Sequence, residues 1–347
     1  MFCDSNATSR AGHSWCLGSD CRRLQHLFSY LPNPAQLITR MSTVPWNDCP
    51  LPLTPKRYWR VDNRWHRSET AGSPPSSIQL ISWNVDFMAP NAAERIYCIL
   101  DYLQHLVLVS TSFCPPSPPC ILLQEVSERG FDALLSHEWV RSYFTVVPAC
   151  RSEWPAGATY GNVTLVSITV PVRKAISVVF GNSSMRRNAV LVDLDLLDPS
   201  WGPPLVMRIA NTHLESLPQG TPVRPGQLAL ISRLLKQPDV DGGVVGGDMN
   251  AIAPSDARIH LDAGLLDAYT GHPNDHNGFT WGYQPLSEYP PARLDKLFYT
   301  PEVFGDPPPF VRVHPPELVG ETLITSRGQW ASDHYGLRTC VHFTQVA

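Results

Sequence analysis

The segment Gly246-Gly247-Asp248-Met249-Asn250 follows the apolar pair Val244-Val245 and precedes a polar stretch broken by proline. This pattern predicts a buried strand that ends at a surface rim. Asp248 and Asn250 are two residues apart, so on an extended backbone their side chains leave the same face. One can accept a proton or bind a cation, and the other can donate a hydrogen bond, which suits phosphate chemistry. Gly-Asp-x-Asn also favours a plain turn, and that reading stays open for the motif taken alone.

Other apolar, strand-like runs in the chain also end in polar clusters, and one more cluster opens the final strand. The clusters lie in Leu80–Asp86, Ile121–Val126, Ile209–Ser216, Arg293–Tyr299 and Ser332–Leu337. Their recurrence favours one shared site over a set of unrelated turns.

Composition bounds the class of protein. A chain of 347 residues that is 43% hydrophobic can bury the core of one large α/β domain with a tail. A net charge of -4 excludes a strongly basic, sequence-indifferent nucleic-acid binder but leaves room for a local basic groove. The nine cysteines show no regular spacing, which favours a reducing compartment. No apolar run reaches the roughly 18 residues of a membrane span. We therefore expect a soluble nuclear or cytoplasmic protein without membrane contact.

The first 76 residues are rich in Ser, Pro and Arg and show little periodicity, which predicts a disordered tail. A short ribbon near residues 57–66, marked by Tyr58, Trp59 and Trp65, is expected to lie on the edge of the domain. Arginines before Met41 leave a mitochondrial transit peptide open, and so does a start wrongly extended upstream of Met41. The domain itself is predicted over residues 77–346.

From Ile78 onward, strand and helix patterns alternate. The pattern predicts helices over 92–109 (capped by Asn91), 128–141 and 225–237. Strands are predicted near 78–84, 120–126, 143–149, 162–170, 174–180, 188–196, 204–213 and 243–248. This mixture of hairpins and helical crossovers predicts an α/β fold of two packed mixed sheets flanked by helices.

The clusters supply what phosphodiester hydrolysis without a covalent step requires: a divalent cation, a base for water, and donors for developing negative charge. Glu125 ends a buried strand, where an unpaired carboxylate is costly, so a hard cation such as Mg²⁺ is its natural partner. A salt-bridged structural Glu125 is the alternative. Asp86 and Asp333 are further candidate metal ligands.

Asp248 is the candidate general base, and Asn250 and Asn84 are candidate phosphate donors. His213 and His334 can each donate to a non-bridging oxygen. A partnership of Asp295 with His334 would favour the charged imidazolium. For either histidine taken alone, a structural role is the favoured interpretation.

These residues resemble, in order, the motifs of the endonuclease/exonuclease/phosphatase superfamily over residues 77–346. The motifs are Ser82-Trp83-Asn84, Leu123-Gln124-Glu125-Val126, His213, Gly247-Asp248-x-Asn250, Leu294-Asp295 and Ser332-Asp333-His334. Within the superfamily, the stretches around His213, Trp281 and His334 look most like the 5′-tyrosyl-DNA phosphodiesterases. These enzymes repair topoisomerase II adducts and leave a 5′-phosphate.

The resemblance implies a four-layer α/β sandwich, Mg²⁺ or Mn²⁺ as cofactor, and a monomer that binds single-stranded or frayed DNA 5′ ends carrying a tyrosyl adduct. It carries over Asn84, Glu125, Asp248, Asn250 and His334 as the catalytic set. His213, Asp295 and Trp281 would line the site, and Asn162 is a further candidate for substrate contact.

The chain also departs from this branch. No Arg follows Asn250, where the family uses one to grip phosphate, and Gly282 replaces an Asp after Trp281. Abasic duplex, an RNA end or a small phosphate ester therefore stay open as alternative substrates. A noncatalytic binding module that kept the fold is a third class. An inositol-phosphate phosphatase is disfavoured, because the motifs contain almost no Lys or Arg.

Overall fold

The computed structural model describes residues 47–69, 72–109, 116–272, 275–302 and 309–344. Of the tail predicted to be disordered over residues 1–76, residues 1–46 fall outside this part of the chain, and residues 51–52, 56–59 and 64–67 form strands. The compact unit begins at Asn47, well before the predicted domain boundary at residue 77.

Sixteen strands and five α-helices make up the described fold. The first eight strands are β1 (Leu51–Pro52), β2 (Lys56–Trp59), β3 (Arg64–Arg67), β4 (Ser77–Asn84), β5 (Pro119–Ser127), β6 (Phe144–Val147), β7 (Tyr160–Ser167) and β8 (Val172–Val179). They are followed by β9 (Asn188–Leu196), β10 (Leu205–His213), β11 (Gly242–Asp248), β12 (Leu266–Asp267), β13 (Asp295–Tyr299), β14 (Phe310–Val313), β15 (Glu317–Val319) and β16 (Gly336–Thr344). The helices are α1 (Ala92–Leu106), α2 (Glu128–Ser136), α3 (Glu138–Tyr143), α4 (Arg224–Leu235) and α5 (Ile259–Asp262).

The strands form two mixed sheets. The first has the order β1-β8-β9-β10-β11-β13-β12, and the second has the order β14-β16-β4-β5-β7-β6-β2-β3, with β15 on β16. Only β10–β11 and β4–β5 pair in parallel among the described strands. Because parallel strands carry their carboxyl ends to the same edge, each sheet presents two strand ends side by side.

Apolar side chains lie between the sheets and also between each sheet and its helices. Leu80, Leu122, Ile209 and Val244 belong to the buried cluster between the sheets. Helices α1 to α3 cover the outer face of the second sheet, and α4 and α5 cover that of the first. Each fully buried Leu or Ile contributes about 1.5–3 kcal/mol relative to exposure. The layers are helix, sheet, sheet, helix, as the sequence predicts.

A buried polar bridge also joins the sheets close to the rim. Gln124 Nε2 donates to Asn211 Oδ1 at 2.9 Å, and Asn211 Nδ2 donates to the carbonyl of Val163 at 3.1 Å. Such buried amides need partners, and here each sheet supplies partners to the other. The bridge therefore fixes the relative position of the two sheets at the end where the polar clusters meet.

Two local predictions are wrong. The helix predicted over 128–141 is two helices, because His137 between them has extended backbone with φ -67° and ψ 129°. Asn91 does not cap α1 with its side chain, since its backbone is left-handed and its amide donates instead to Gln329 Oε1 at 2.8 Å.

Within the described residues, no helix has the length and apolar character to span a membrane.

Candidate active site

The polar clusters meet where β4, β5, β10, β11 and β13 end or begin, and Gly247 is the residue that brings two of these strands together. Its φ is 148°, and a Cβ there would lie 1.8 Å from the carbonyl oxygen of Thr212. Only glycine allows this approach of β11 to β10. The register then places Asp248 between His213 on β10 and Asp295 on β13.

Asp248 is buried and touches polar groups from both sheets. Its Oδ1 accepts from the backbone N–H of Asn250 at 2.8 Å, and its Oδ2 accepts from Asn84 Nδ2 at 3.1 Å. Oδ2 also lies 3.3 Å from His213 Nε2 and 3.9 Å from His334 Nε2. Burial raises the pKa of this carboxyl above its ordinary value, and the charge of His334 opposes that rise. A more basic carboxylate is a better proton acceptor for water at neutral pH.

His334 carries a positive charge in this site. Burial alone would lower its pKa, but the carboxylates of Asp295, Asp333 and Asp248 raise it well above the ordinary range. The predicted contact with Asp295 is present, with Nδ1 2.7 Å from Oδ2. Nε2 makes no hydrogen bond to another described residue, so it can donate to a phosphate oxygen.

The loop that carries His334 is held by buried side chains. Ser332 Oγ donates to the carbonyl of Asn84 at 2.6 Å, and Trp83 Nε1 donates to the carbonyl of His334 at 3.0 Å. Gln284 Nε2 donates to the same carbonyl at 3.2 Å. These contacts fix the imidazole without occupying its Nε2.

His213 is the opposite case, a neutral imidazole. Arg187 Nη1 donates to His213 Nδ1 at 2.8 Å. Burial lowers the pKa of His213 well below its ordinary value, and the charges of Arg187 and His334 lower it further. Because arginine has only donors, Nδ1 must be the acceptor and the proton resides on Nε2. His213 therefore presents an N–H towards Asp248.

Arg187 is the site residue that the sequence analysis missed. It lies just before β9 and is 6% exposed, and Nη1 also donates to the hydroxyl of Tyr160 at 3.1 Å. Its Nε is buried without a hydrogen-bond partner among the described residues. The guanidinium places a fixed positive charge beside His213, which can compensate for the missing Arg after Asn250. The only sequence signal was the pair Arg186-Arg187 at the start of a strand.

Glu215 holds the loop that carries Arg187. Its carboxylate accepts from Ser183 Oγ at 2.6 Å, from the N–H of Ser184 at 2.8 Å and from the N–H of Met185 at 3.1 Å. Ser183 Oγ in turn accepts from the backbone N–H of Arg187 at 2.8 Å. The Glu215 carboxylate thus positions the guanidinium indirectly.

Glu125 sits on a bulge of β5 with a left-handed φ of 58°. Such a bulge re-aims a side chain at the end of a strand. Its Oε2 accepts from the N–H of Phe87 at 3.0 Å, and Oε1 lies 3.8 Å from His213 Nδ1. Burial raises the pKa of Glu125 to about 7, and the neighbouring Asp248 and Asp333 add to the rise.

These acids fit a divalent cation. No group of three His, Cys, Asp or Glu side chains among the described residues forms a preformed metal cage. Mg²⁺ does not require one, because it keeps several waters and uses one or two carboxylates. The raised pKa values of Glu125, Asp248 and Asp333 show carboxyls whose charges are poorly compensated, which a cation would relieve.

The two other candidate metal ligands are partly committed to contacts within the protein. Asp86 Oδ1 accepts from the N–H groups of Met88 at 2.9 Å and Ala89 at 3.1 Å, which stabilises the turn after β4. Asp333 Oδ2 accepts from Trp281 Nε1 at 3.0 Å. Glu125 Oε1 makes no hydrogen bond to another described residue, so Glu125 is the best placed of the three for a metal.

The three candidate Asn side chains differ in the hydrogen bonds that they already make within the protein. Asn84 Nδ2 reaches Asp248, as described above. Asn250 Nδ2 donates to the carbonyl of Leu214 at 3.0 Å, and its Oδ1 accepts from Ser216 Oγ at 3.0 Å. Asn162 Nδ2 donates to Asn188 at both its carbonyl and its side chain. Asn250 therefore holds the segment after β10 and Asn162 holds the start of β9, whereas Asn84 contacts Asp248 directly.

Two flanks border this centre. On one side lies the partly buried Trp281, whose Nε1 donates a hydrogen bond to Asp333. On the other, the rings of Phe87 and Tyr160 stack with centroids 3.9 Å apart. A cleft of about 630 Å³, lined in part by Phe87, Ala89, Ser127 and Thr159, opens beyond that stack.

The family model of the Endonuclease/Exonuclease/phosphatase family matches residues 81–334. The fold is similar to that of truncated TDP2 from Caenorhabditis elegans, at 21% identity and a TM-score of 0.57, over 77% of this chain and 97% of that one. It is also similar to that of D. rerio TDP2 complexed with a single-stranded DNA product, at 21% identity and a TM-score of 0.60, over 77% of this chain and 99% of that one.

A family protein from Bacteroides thetaiotaomicron shares 14% identity with a TM-score of 0.55, over 78% of this chain and all of that one. No curated protein sequence matches the chain. At these identities the solved structures establish a shared fold.

Proposed function

Because the chain belongs to the endonuclease/exonuclease/phosphatase family, we propose that it is a divalent-metal-dependent phosphodiesterase that cleaves 5′-phosphotyrosyl DNA and leaves a 5′-phosphate. The family and the fold are those of phosphoesterases. The observation that carries the proposal is the position of Asp248 between a neutral His213 and a charged His334.

Each neighbour of Asp248 has one chemical task. Asp248 accepts a proton from the attacking water, aided by its raised pKa. His334 donates through Nε2 to a phosphate oxygen as negative charge develops, and Asp295 keeps it protonated. Arg187 adds a second fixed cation beside His213. Glu125 and, secondarily, Asp333 would hold Mg²⁺ or Mn²⁺, which when bound neutralises charge on the phosphoryl group.

The leaving group is inferred from chemistry and from the aromatic flank. A tyrosyl phenolate leaves with a pKa near 10, so it needs less protonation than a sugar hydroxyl. Phe87, whose ring stacks on that of Tyr160, lines the cleft and offers an aromatic surface for a phenyl ring. The cleft of about 630 Å³ beyond it leaves room for an attached peptide.

The nucleic-acid side of the substrate is assigned to the Trp281 flank. The partly exposed indole of Trp281 can stack on an unpaired base, which is typically worth about 1–3 kcal/mol and is indifferent to sequence. The D. rerio TDP2 complex with a single-stranded DNA product supports this choice of substrate class. We further propose that the protein acts as a monomer in the nucleus or cytoplasm, which sedimentation and imaging of the tagged chain would test.

The test is a substrate panel of 5′-tyrosyl single-stranded DNA, abasic duplex, oligoadenylate and inositol polyphosphate, each with Mg²⁺ and with EDTA. Tyrosyl DNA should be cleaved fastest, only with metal, and to a 5′-phosphate end. Asp248→Asn is the matched inactive control. Faster cleavage of the abasic duplex at equal salt and metal would move the protein to another branch of the family.

A further inference from the structure

The hairpin formed by β2 and β3 concentrates positive charge, although the net charge of the chain is -4. Residues 56–67 contain Lys56, Arg57, Arg60, Arg64 and Arg67, with Asp62 as the only acid. The hairpin pairs with β6 at the end of the second sheet and lies outside the residues matched by the family model.

The register of the hairpin separates its side chains onto two faces. Tyr58 pairs with Trp65, and their rings meet edge to face at 5.5 Å. Trp65 packs against the core cluster, and Arg141 lies over the Tyr58 ring, so this face is attached to the domain. Alternation then puts Arg57, Trp59, Arg64 and His66 together on the other face.

The outer face is available to a ligand. Trp59 is 48% exposed, and its ring lies 5.1 Å from that of His66. The guanidinium groups of Arg57 and Arg64 make no ion pair or hydrogen bond with any residue that the structure describes. A groove of about 440 Å³ runs along the hairpin between this face and α3, and its lining also includes Tyr58, Arg141 and Ser142.

The outer face is separate from the catalytic centre. Strands β7 and β6 lie between β5, which carries Glu125, and β2. At about 4.8 Å per strand the lateral separation is roughly 14 Å. The face therefore cannot contribute side chains to the reaction, but it can hold another part of a long ligand.

We propose that the outer face of this hairpin, built from Arg57, Trp59, Arg64 and His66, binds single-stranded nucleic acid. Cations that alternate with an exposed flat ring match a strand in which phosphates and unstacked bases alternate. The turn offers Val61 as its one apolar side chain beside Asn63 and Asp62, which pairs with His66, so it has too little apolar surface for insertion into a membrane. The proposal goes beyond the reaction and does not depend on which ester is cleaved.

The test measures binding of the full chain to fluorescent oligothymidylate and oligouridylate by anisotropy, in EDTA so that no hydrolysis occurs. Trp59→Ala should weaken binding at least about fivefold, as expected for loss of one base stack. Arg57→Gln with Arg64→Gln should reduce the slope of log affinity against log salt by about 0.7 for each lost phosphate contact. The comparison of the two oligomers decides whether DNA or RNA is preferred.

The control is Arg233→Gln with Arg312→Gln, which removes two exposed charges from other parts of the surface and should leave binding unchanged. Hydrolysis of p-nitrophenyl thymidine 5′-phosphate should be unchanged in all these variants, which separates this proposal from the proposed function. If the double variant melts early, Arg64→Gln alone alters only an exposed side chain and should still reduce the salt slope. Wild-type affinity in the hairpin variants, or an equal loss in the control, would overturn the proposal. The proposal would also be overturned if the hairpin variants lost binding to phosphatidylserine vesicles but kept wild-type binding to both oligomers.

Discussion

Nη1 of Arg187 lies 2.8 Å from Nδ1 of His213, and this contact sets the protonation of the imidazole that faces Asp248. The second imidazole near Asp248, that of His334, is instead held charged by Asp295. One carboxylate thus has a neutral donor on one side and a cation on the other. The two histidines therefore differ in protonation state, and the sequence analysis did not distinguish them.

Replacement of Arg187 should therefore affect both binding and protonation. We expect Arg187→Lys to lower kcat/KM by about tenfold or more, because an ammonium cannot reproduce the forked donor geometry. The pKa of His213 should rise when the guanidinium charge is removed in Arg187→Gln, as followed by NMR titration. Arg186→Lys, at the exposed neighbour, is the control, and equal kinetics for the two Lys variants would exclude a role for Arg187.

Asp248→Asn should keep the fold and lose about 10²-fold or more in kcat, because the amide cannot accept the proton of water. Thermal melting measures the fold, and single-turnover rates measure chemistry. A rate within a few-fold of wild type would show that another group is the base.

Glu125→Gln should weaken the binding of Mg²⁺ or Mn²⁺, so saturating metal should partly restore the lost rate. Titration of the rate with metal for wild type and variant measures the shift in apparent affinity. An unchanged metal dependence would assign Glu125 to another task.

The raised pKa of Glu125, about 7, also predicts a dependence on pH. Below pH 7 a proton occupies the Glu125 carboxyl and competes with the cation for it. The apparent metal affinity should therefore increase as the pH rises through 7. Without metal the sign for stability is the reverse: the folded state holds the proton more tightly than the unfolded one, so this group destabilises the protein as pH rises from about 4.5 to 7. The gain in melting temperature on adding Mg²⁺ should therefore grow with pH, and a gain independent of pH in this range would contradict the prediction.

Trp281→Ala should raise KM for single-stranded substrates more than it lowers kcat, because the ring is assigned to base stacking. Trp281→Phe keeps a stacking ring but loses the N–H that contacts Asp333. KM near wild type in the Phe variant together with a raised KM in the Ala variant supports stacking. Equal defects in both would point to the Asp333 contact.

Strong periodicity allowed the sequence to predict most of the fold. The strand predicted over 188–196 has those bounds, and the strand predicted over 204–213 begins one residue later, because long apolar runs end at Gly, Pro or Asn. The break at His137 was missed, since both flanking helices share one apolar face and the pattern continues through it. The left-handed backbone of Asn91 likewise leaves no periodic signal.

Local sequence patterns predicted the side chains that end buried strands, whereas they did not predict Arg187, which a loop brings to the site. Asp248, Glu125 and His213 all follow buried runs, and the structure brings them together. Arg187 enters from a loop whose position depends on Glu215, a contact between residues far apart in sequence. The commitment of Asn162 to Asn188 depends in the same way on the pairing of distant segments, which no local pattern encodes.

The order of strands has a consequence for synthesis. His334 lies just before β16, the last strand, which pairs with β4 near the other end of the domain. During translation, Asn84, Glu125 and Asp248 leave the ribosome first, but the imidazolium reaches them only when β16 inserts beside β4. A nascent chain therefore carries most of the acidic centre without the His334 imidazolium, and hydrolytic competence should begin only after β16 has left the ribosome and paired with β4.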